Sequence, residues 1–268
     1  MKKYMPFLFI LIFFISTAFS GQNFSLTKSV NFQSDSLNVK SIGKLPFHKN
    51  SNDLCVKDSF AFICFDNSLV VFNIKDKNDI KLVDEVAIYS PFCIAQSGNY
   101  IFVGTSGYGL YVYDISDPEN ISLKGFYNTE TPIFNIKISG NYAYLANTFE
   151  GLVILDISDP SNPVLAGKNN TYNFVLSVFV DNGYAYITNF DSKMVIYDVS
   201  NPSTPSEVGS LNLRGALYDL TISNDYAFIA NGQNLLIVDV SDKTNPFLYD
   251  SLRTGPYLHF LKETLNSL

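Results

Sequence analysis

Four aspartates recur along this sequence at almost constant spacing, and they are its most regular candidates for chemistry. They are Asp114, Asp156, Asp198 and Asp239, and Asn73 holds the same place before them. Each aspartate closes an apolar run and is followed by Ile or Val and then Ser. A carboxylate can transfer a proton or bind a metal ion, but equivalent residues of separate repeats cannot all meet at one site. Because Asp before Ser also accepts backbone N–H bonds in turns, the sequence predicts structural turn caps.

Three asparagines, Asn147, Asn189 and Asn231, recur at equal spacing, in loops between apolar runs. Their amides could form a ring of hydrogen-bonding groups for a ligand, or they could cap the turns in which they lie. Neighbouring loops add two tyrosines and an arginine to this candidate rim, namely Tyr127, Tyr172 and Arg214.

Other residue types that carry chemistry are sparse. The two histidines, His48 and His259, have no repeated partner, and the sequence has neither a GxSxG nor an EF-hand pattern. The three cysteines form no CxxC pair, so we expect them to fill small core positions, although a disulfide between two of them stays open. We predict no catalytic residue, no metal site and no cofactor.

The composition is that of a folded, acidic chain. Of 268 residues, 47% are hydrophobic and 16% are charged, which excludes an intrinsically disordered protein. The 25 acidic and 18 basic side chains give a net charge of −7. A general nucleic-acid binder needs a basic face, so nucleic acid is not an expected partner.

The first twenty residues are organised as a secretory signal peptide. Lys2 and Lys3 precede the apolar run Met5–Ile15, and residues 18–20 (Ala-Phe-Ser) have the small-x-small form of a cleavage site. The run is shorter than the roughly 20 apolar residues that span a membrane. We therefore expect a cleaved signal peptide over residues 1–20, a polar lead-in over residues 21–38 and a secreted or cell-surface protein whose mature chain has no transmembrane segment.

One regular period organises the rest of the chain, and its length is close to the roughly 40 residues that are typical of four-stranded repeats. The Asp and Asn residues above mark five copies, and a second marker runs in register with them: FAF at 60–62, YIF at 100–102, YAY at 142–144 and 184–186, and YAF at 226–228. Each copy reads as four short strands without helical spacing. In the third copy the predicted strands are Ile133–Ile138, Tyr142–Asn147, Leu152–Ile157 and Val164–Lys168.

The third strand of that copy is apolar without alternation, which indicates that both faces of its sheet are covered. Four-stranded antiparallel repeats of this length achieve this when their sheets stack face to face around an axis. The sequence therefore predicts an all-β fold, a β-propeller of four-stranded antiparallel blades with five full repeats. A sandwich lacks such a repeat, and a parallel β-helix has a shorter one.

The apolar runs that end in Asp also resemble a known repeat. LVILD at 152–156 and LLIVD at 235–239, each followed by Ile or Val, Ser and Asp, look like the LVIVD repeat of prokaryotic secreted and surface proteins. The resemblance covers roughly residues 43 to 255. WD40 repeats differ because their Asp follows Trp, which this sequence lacks. The resemblance implies an extracellular propeller, and it transfers no activity and no catalytic residues.

Two segments flank the five copies and match fragments of a sixth. Val39–Gly43 matches the last strand of a blade, and Gly255–Leu261 matches a first strand. These fragments could pair and close the ring, or the chain could be a truncated form of a longer parent with more blades. The propeller domain is thus predicted over residues 39–268, with an incomplete last repeat.

Taken together, these patterns predict a binding or interaction scaffold whose partner is an extracellular glycan, protein or peptide. In a propeller, the loops between second and third strands and between blades surround the channel mouth, where the Asn and Tyr rim falls. Two alternatives stay open. An extracellular hydrolase or lyase acting on glycan or peptide needs an acidic cluster or a His at the channel, and a surface-layer component needs contacts along the blade edges.

Overall fold

The computed structural model describes residues 51–258 and Leu261, apart from residues 77 and 108. The described part contains twenty β-strands and no helix, arranged in five four-stranded antiparallel sheets. Each sheet contains four consecutive strands paired in chain order, so one sheet corresponds to one sequence repeat. The predicted all-β architecture of five four-stranded antiparallel repeats is confirmed. We number the sheets as blades 1 to 5.

The strand bounds follow the repeat from blade to blade. Blades 1 and 2 contain β1 Ser51–Lys57, β2 Phe60–Phe65, β3 Ser68–Asn73, β4 Lys81–Ala87, β5 Pro91–Ser97, β6 Tyr100–Thr105, β7 Leu110–Asp114 and β8 Ser122–Tyr127. Blades 3 and 4 contain β9 Ile133–Ser139, β10 Tyr142–Asn147, β11 Gly151–Asp156, β12 Val164–Asn169, β13 Val175–Asp181, β14 Tyr184–Asn189, β15 Lys193–Asp198 and β16 Ser206–Asn212. Blade 5 contains β17 Asp219–Ser223, β18 Tyr226–Ala230, β19 Gly232–Asp239 and β20 Phe247–Leu258.

In blade 3 the second strand has the predicted bounds, the first and fourth strands end one residue later than predicted, and the third strand differs by one residue at both ends. β11 begins one residue earlier than predicted because Gly151 pairs with Asn147 across the turn. It also ends one residue earlier, at Asp156. The amide of Ile157 donates instead to the carbonyl of Asn141, at 2.8 Å, outside the regular pairing of the strands.

The core lies between consecutive blades. One face of each of blades 1 to 4 packs on the opposite face of the next blade, which gives four separate apolar clusters. Between blades 3 and 4, for example, Tyr144, Leu152 and Ile154 pack against Ile187 and Tyr197, and all five are buried. This stacking covers both faces of the third strands, which explains why their sequences are apolar without alternation.

The three cysteines lie on strands of the first two blades. Cys64 and Cys93 are buried in the clusters between blades 1 and 2 and between blades 2 and 3, and Cys55 is half-buried. The thiol of Cys93 donates to the carbonyl of Ile133 at 3.5 Å, so it also links blade 2 to blade 3.

The fourth strand of a blade, which we call its outer strand, contacts the following blade at a glycine in blades 2 to 4. Gly125, Gly167 and Gly209 occupy the same register position in β8, β12 and β16. A Cβ placed on Gly167 would overlap the carbonyl oxygen of Pro202 and lie 3.0 Å from Ser203, in the turn that precedes β16 of the next blade. Because those atoms are backbone, only glycine permits this close approach.

The C-terminal end differs from the sequence-based expectation. The sequence predicts a new first strand from Gly255, but residues up to Leu258 continue β20, and Leu258 pairs with Gly232. The pairing of β19 with β20 is irregular at this end, because Asn234 pairs with Arg253 and Gly232 pairs with Leu258. Residues 254–257 of β20 therefore lie opposite a single residue of β19, as in an enlarged bulge. The flanking segment Val39–Gly43, the predicted signal peptide over residues 1–20 and the lead-in over 21–38 lie outside the described residues. In the part of the chain that is described, no helix is long and apolar enough to cross a membrane.

Candidate functional site

Two kinds of loop lie on the same side of the molecule. Because the four strands of each blade are antiparallel and paired in order, the turn between the second and third strands lies at the same end as the connection to the next blade. We call this side the loop face. It carries all six predicted rim residues, which are Tyr127, Asn147, Tyr172, Asn189, Arg214 and Asn231.

The four repeated aspartates lie on the opposite side, where the third strands end. The Oδ1 atom of each accepts the backbone N–H of the serine two residues later, at 2.8 to 2.9 Å. Hydrogen bonds from the hydroxyl and the backbone N–H of that serine lower the pKa of all four carboxyls. These contacts are those of a turn cap, and the four side chains lie on four different blades.

Removing one cap gives a first testable effect. We expect Asp156→Ala to lower the melting temperature by about 2–4 °C, because the N–H of Ser158 loses its acceptor in the turn. Asp156→Asn keeps an oxygen at the same place and is expected to cost less. Thermal unfolding of both variants at pH 7 measures the difference. Equal melting temperatures for wild type and Asp156→Ala would contradict the capping role.

Two of the predicted rim asparagines are buried. Asn147 and Asn189 are 0% and 3% exposed. The Oδ1 atom of Asn147 accepts the N–H of Glu150 at 3.2 Å and the hydroxyl of Thr131, and Oδ1 of Asn189 accepts the N–H of Lys193 at 2.9 Å. This geometry favours the capping alternative for both residues, and ligand binding by their amides stays a prediction.

The third asparagine and the predicted arginine form a separate pair at the connection between blades 4 and 5. The amide nitrogen of Asn231 donates to the carbonyl of Arg214 at 3.0 Å, and its oxygen accepts the N–H of Asn234 at 3.0 Å. Asn231 is half-buried, and Arg214 is exposed. Of the six predicted rim residues, Arg214 alone is exposed.

The predicted tyrosine Tyr172 belongs to a chain of polar contacts. Nζ of Lys193 donates to the Tyr172 hydroxyl at 2.6 Å, and that hydroxyl donates to Oε2 of Glu207 at 3.0 Å. The contacts fix the tyrosine ring between blades 3 and 4.

The other predicted tyrosine, Tyr127, is half-buried beside an ion pair. Burial raises the pKa of its hydroxyl, and the nearby Glu150 carboxylate raises it further. Nζ of Lys168 lies 3.1 Å from Oε1 of Glu150, and both side chains are partly exposed. This pair places a charge of each sign at the edge of the loop face of blade 3.

Three exposed phenylalanines lie among these polar groups and were not among the predicted site residues. Phe149, Phe174 and Phe190 are 53%, 43% and 55% exposed. The rings of Phe149 and Phe174 meet edge to face, with centroids 5.2 Å apart, and the N–H of Phe190 donates to the carbonyl of Phe174 at 3.0 Å. We call these three residues the aromatic cluster.

Phe174 also has an uncommon backbone conformation. Its φ is +53°, a left-handed value that costs a bulky residue about 1–2 kcal/mol. Backbone hydrogen bonds on both sides hold it there, since its N–H donates to Thr148 and its carbonyl accepts from Phe190. Ser90, two repeats earlier, has a φ of +51°, and its carbonyl accepts the N–H of Ser106 in the same way. The conformation therefore belongs to the repeat, and what is particular to Phe174 is the exposed aromatic side chain that it carries there.

The first strands of the blades hold a second group of polar residues that the sequence analysis missed. Asn135, Ser177 and Asp219 occupy equivalent positions in three successive blades. The Ser177 hydroxyl donates to Oδ1 of Asp219 at 2.6 Å, and the backbone amides of Leu220 and Leu261 donate to the same carboxylate at 2.9 and 2.8 Å. Burial raises the pKa of Asp219 to about 6.

This buried carboxylate links blades rather than facing a ligand. Its side chain is enclosed, and its two oxygens already accept three hydrogen bonds. A general acid or base must reach its substrate, so this geometry does not favour the hydrolase alternative. Among the described residues, no group of three or more His, Cys, Asp or Glu side chains could hold a metal ion.

Comparison with known protein families identifies the repeat. The family model described as LVIVD repeat matches residues 49–87, 93–129, 134–171, 175–212 and 214–254. The chain belongs to the LVIVD-repeat family. The suspected family is therefore confirmed, and each of the five matches falls on one blade. A search of curated proteins gave no significant match.

Solved structures similar to this LVIVD-repeat chain have the same fold at low sequence identity. A functionally unknown protein from Desulfotomaculum acetoxidans has a TM-score of 0.69 and 11% identity, over 81% of this chain and 75% of the other. A chain of the Mitotic Checkpoint Complex has a TM-score of 0.68 and 11% identity, over 83% and 72%. The Cps50 (Swd1) beta-propeller domain of Myceliophteria thermophila has a TM-score of 0.61 and 10% identity, over 75% and 71%. These similarities confirm the predicted β-propeller fold.

The five LVIVD repeats show that the fold does not require the aromatic cluster. The loop between the second and third strands has three residues in blades 2 to 4, and the strand registers align it there. The position of Phe149 holds Gly107 and Asp191 in the other two blades, and that of Phe190 holds Ser106 and Thr148. Blades 1 and 5 have only two residues in this loop, at 66–67 and 232–233, and none of them is aromatic. Blades of this repeat thus form without an aromatic residue at these positions, and the cluster is a local addition to blades 3 and 4.

A signal for the cluster does exist in the sequence. It lies in the departure from the repeat rather than in the repeat itself, because Phe149 and Phe190 stand in loops whose other residues, apart from Tyr108, are small or polar. The predicted rim followed positions that recur, and recurring positions serve the fold. The sequence also contains 23 Phe and 17 Tyr residues, so the three phenylalanines of the cluster do not stand out by residue type.

Proposed function

We propose that this LVIVD-repeat propeller is a secreted binding module whose ligand is an extracellular glycan, bound at the aromatic cluster on the loop face. The observation that carries the proposal is the restriction of three exposed phenylalanines to adjoining loops of blades 3 and 4. Grouped apolar side chains on a surface are typical of interaction sites. The signal-peptide pattern of residues 1–20 supports an extracellular location, and the net charge of −7 argues against a nucleic-acid ligand.

The chemistry around the cluster suits a sugar chain. The C–H groups of a sugar ring are attracted to the negative face of an aromatic ring. Sugar hydroxyls can exchange hydrogen bonds with the Glu150–Lys168 pair and with Lys193, which begins the strand after the Phe190 loop. Proteins often bind peptides by adding a strand to a sheet edge, but the second and third strands beneath the cluster are paired on both sides.

Ligand binding can be tested by thermal shift, because a ligand that binds only the folded state raises the melting temperature. The probes are a panel of soluble oligosaccharides and polysaccharides and a panel of Pro-rich and unbiased peptides. We expect a shift with a class of glycan. Phe149→Ala is then expected to weaken that binding at least tenfold without lowering the melting temperature of the free protein, because the side chain is exposed.

Phe126→Ala is the matched control. Phe126 is also an exposed phenylalanine in contact with another ring, that of Tyr111, but it lies on the outer strand of blade 2. An equal loss of glycan affinity in both variants would remove the aromatic cluster from the proposal. A shift with peptides alone would replace the glycan by a peptide as the ligand.

A further inference from the structure

An open groove lies on the loop face of blade 1, which blade 2 separates from the aromatic cluster of blades 3 and 4. Its volume is about 420 Å³, within the range of small-molecule sites. It is lined by Asn67 in the turn between β2 and β3, and by Ala87, Ile88 and Tyr89 where β4 leads into blade 2. None of these four described side chains is charged, so the groove is suited to a small neutral ligand.

Tyr89 is held in this groove by the backbone on both sides of it. The N–H of Ile88 donates to the carbonyl of Asn67 at 3.2 Å, and the Ile88 side chain is buried between blades 1 and 2. On the other side, the carbonyl of Ser90 accepts the N–H of Ser106 at 3.0 Å. Among the described large hydrophobic side chains, Tyr89 is the most exposed, at 75%. A fixed segment thus presents an aromatic ring to solvent, which lowers the ordering cost of binding.

The repeat does not require an aromatic residue at this position. The strand registers place Thr131, Asn173 and Gly215 at the position of Tyr89 in the later connections between blades. The Tyr89 ring is supported from one side, because a Cβ added to Gly107 of blade 2 would lie 3.0 Å from its Cδ1 and 3.3 Å from its Cε1. The rest of the ring is open, so it forms a supported aromatic surface in the groove.

Polar groups beside the ring have unused hydrogen-bonding capacity. Within the described residues, neither the Asn67 side-chain amide nor the Tyr89 hydroxyl makes a hydrogen bond. The Ser68 hydroxyl is buried, with the residue 5% exposed, and also has no partner there. Ser68 pairs with Ala87, and directly opposed side chains of antiparallel strands share a face, so this hydroxyl lies on the side that Ala87 presents to the groove. A buried polar group without a partner is unfavourable, and a ligand hydroxyl can satisfy it.

We propose that this groove is a second glycan subsite, in which a neutral sugar ring lies against Tyr89 and exchanges hydrogen bonds with Asn67 and Ser68. The C–H groups of the sugar face the aromatic ring, and its hydroxyls both donate and accept. The class of ligand rests on the proposed function, but the groove uses other blades and none of the residues of the aromatic cluster. A neutral polysaccharide then contacts the loop face at two places, and the first contact raises the effective concentration for the second.

Binding of long and short glycans by single and double variants tests the subsite. The probes are laminarin, arabinoxylan, galactomannan and glycol chitin, with laminaritriose, xylotriose, mannotriose and chitotriose as their short counterparts. We expect Tyr89→Ala and Phe149→Ala each to weaken binding of the same polysaccharide at least tenfold in isothermal titration calorimetry. Each single variant still binds the matching trisaccharide, and the double variant does not. Tyr249→Ala, the matched control, removes an exposed tyrosine that meets Tyr226 on blade 5 and should leave both affinities unchanged.

The outcomes separate this subsite from the aromatic cluster. Wild-type affinity in Tyr89→Ala, with a loss in Phe149→Ala, would refute the groove and leave the proposed function in place. A loss in Tyr89→Ala alone would support the groove and remove the cluster. Loss of all trisaccharide binding in either single variant would refute two separate subsites, and no binding of any glycan by the wild type would refute both proposals. Equal melting temperatures of wild type and Tyr89→Ala confirm that the variant is folded, as the exposure of the side chain predicts.

Discussion

Replacing Gly167 by Ala is expected to lower the free energy of unfolding by about 3 kcal/mol, as overpacking of a close contact does. The new Cβ would overlap the carbonyl oxygen of Pro202 and approach Ser203, and both contacts involve backbone atoms. A side chain could rotate away from such a clash, but the turn of blade 4 can only shift as a whole. Urea unfolding followed by far-ultraviolet circular dichroism measures the loss.

Gly140→Ala separates this clash from the general cost of replacing a glycine. Gly140 has φ +56° and nothing within 4 Å of an added Cβ, so only the left-handed backbone opposes the change. That conformation costs Ala about 1–2 kcal/mol. A loss for Gly167→Ala no greater than that for Gly140→Ala would show that the outer strand and the next blade are not in close contact.

The sequence was sufficient to predict the fold because every blade of a propeller has the same structural requirements, and the residues that meet them recur in every repeat. Each blade must bury both faces, so each third strand is apolar throughout, and each turn after it needs an acceptor such as Asp156. These demands recur once in every repeat, which makes them visible without a structure. The second strand Tyr142–Asn147 was predicted to the residue for the same reason.

Strand ends and the candidate site were harder to predict because they depend on single departures from the repeat. β20 continues to Leu258 because of the irregular pairing near Gly232, and no local pattern in residues 255–258 shows this. The aromatic cluster depends on loops of two blades meeting in space, which the separate positions of Phe149 and Phe174 do not reveal.

Asp219 shows a third reason why part of the structure could not be predicted from the sequence. A polar residue at the same place in three first strands is visible in the sequence, since Asn135, Ser177 and Asp219 are evenly spaced along the chain. What the sequence does not show is that the Ser177 hydroxyl reaches the Asp219 carboxylate and that both are buried. Burial changes the chemistry of the carboxyl, and burial is a property of the assembled ring.

Lowering the pH from 7 to 4 is expected to stabilise the wild type relative to Asp219→Asn by up to about 3 kcal/mol. Burial, and less strongly the charge of Asp53, raise the pKa of Asp219 from 3.8 to about 6 in the folded protein. Between these two values the folded state binds a proton that the unfolded state does not. The free energy of unfolding therefore falls as the pH rises through this range, and Asp219→Asn, which has no titrating group there, lacks the effect.

The comparison between the two proteins isolates this carboxyl from the exposed turn caps. Hydrogen bonds lower the pKa of the capping aspartates, so their stabilisation is lost only as the pH falls below about 4, equally in both proteins. Urea unfolding at half-unit pH intervals gives the two curves. Asp53→Asn should move the transition to lower pH, because it removes a charge that opposes ionisation of Asp219. Parallel curves for wild type and Asp219→Asn between pH 4 and 7 would mean that Asp219 keeps an ordinary pKa and that the first strands do not enclose it.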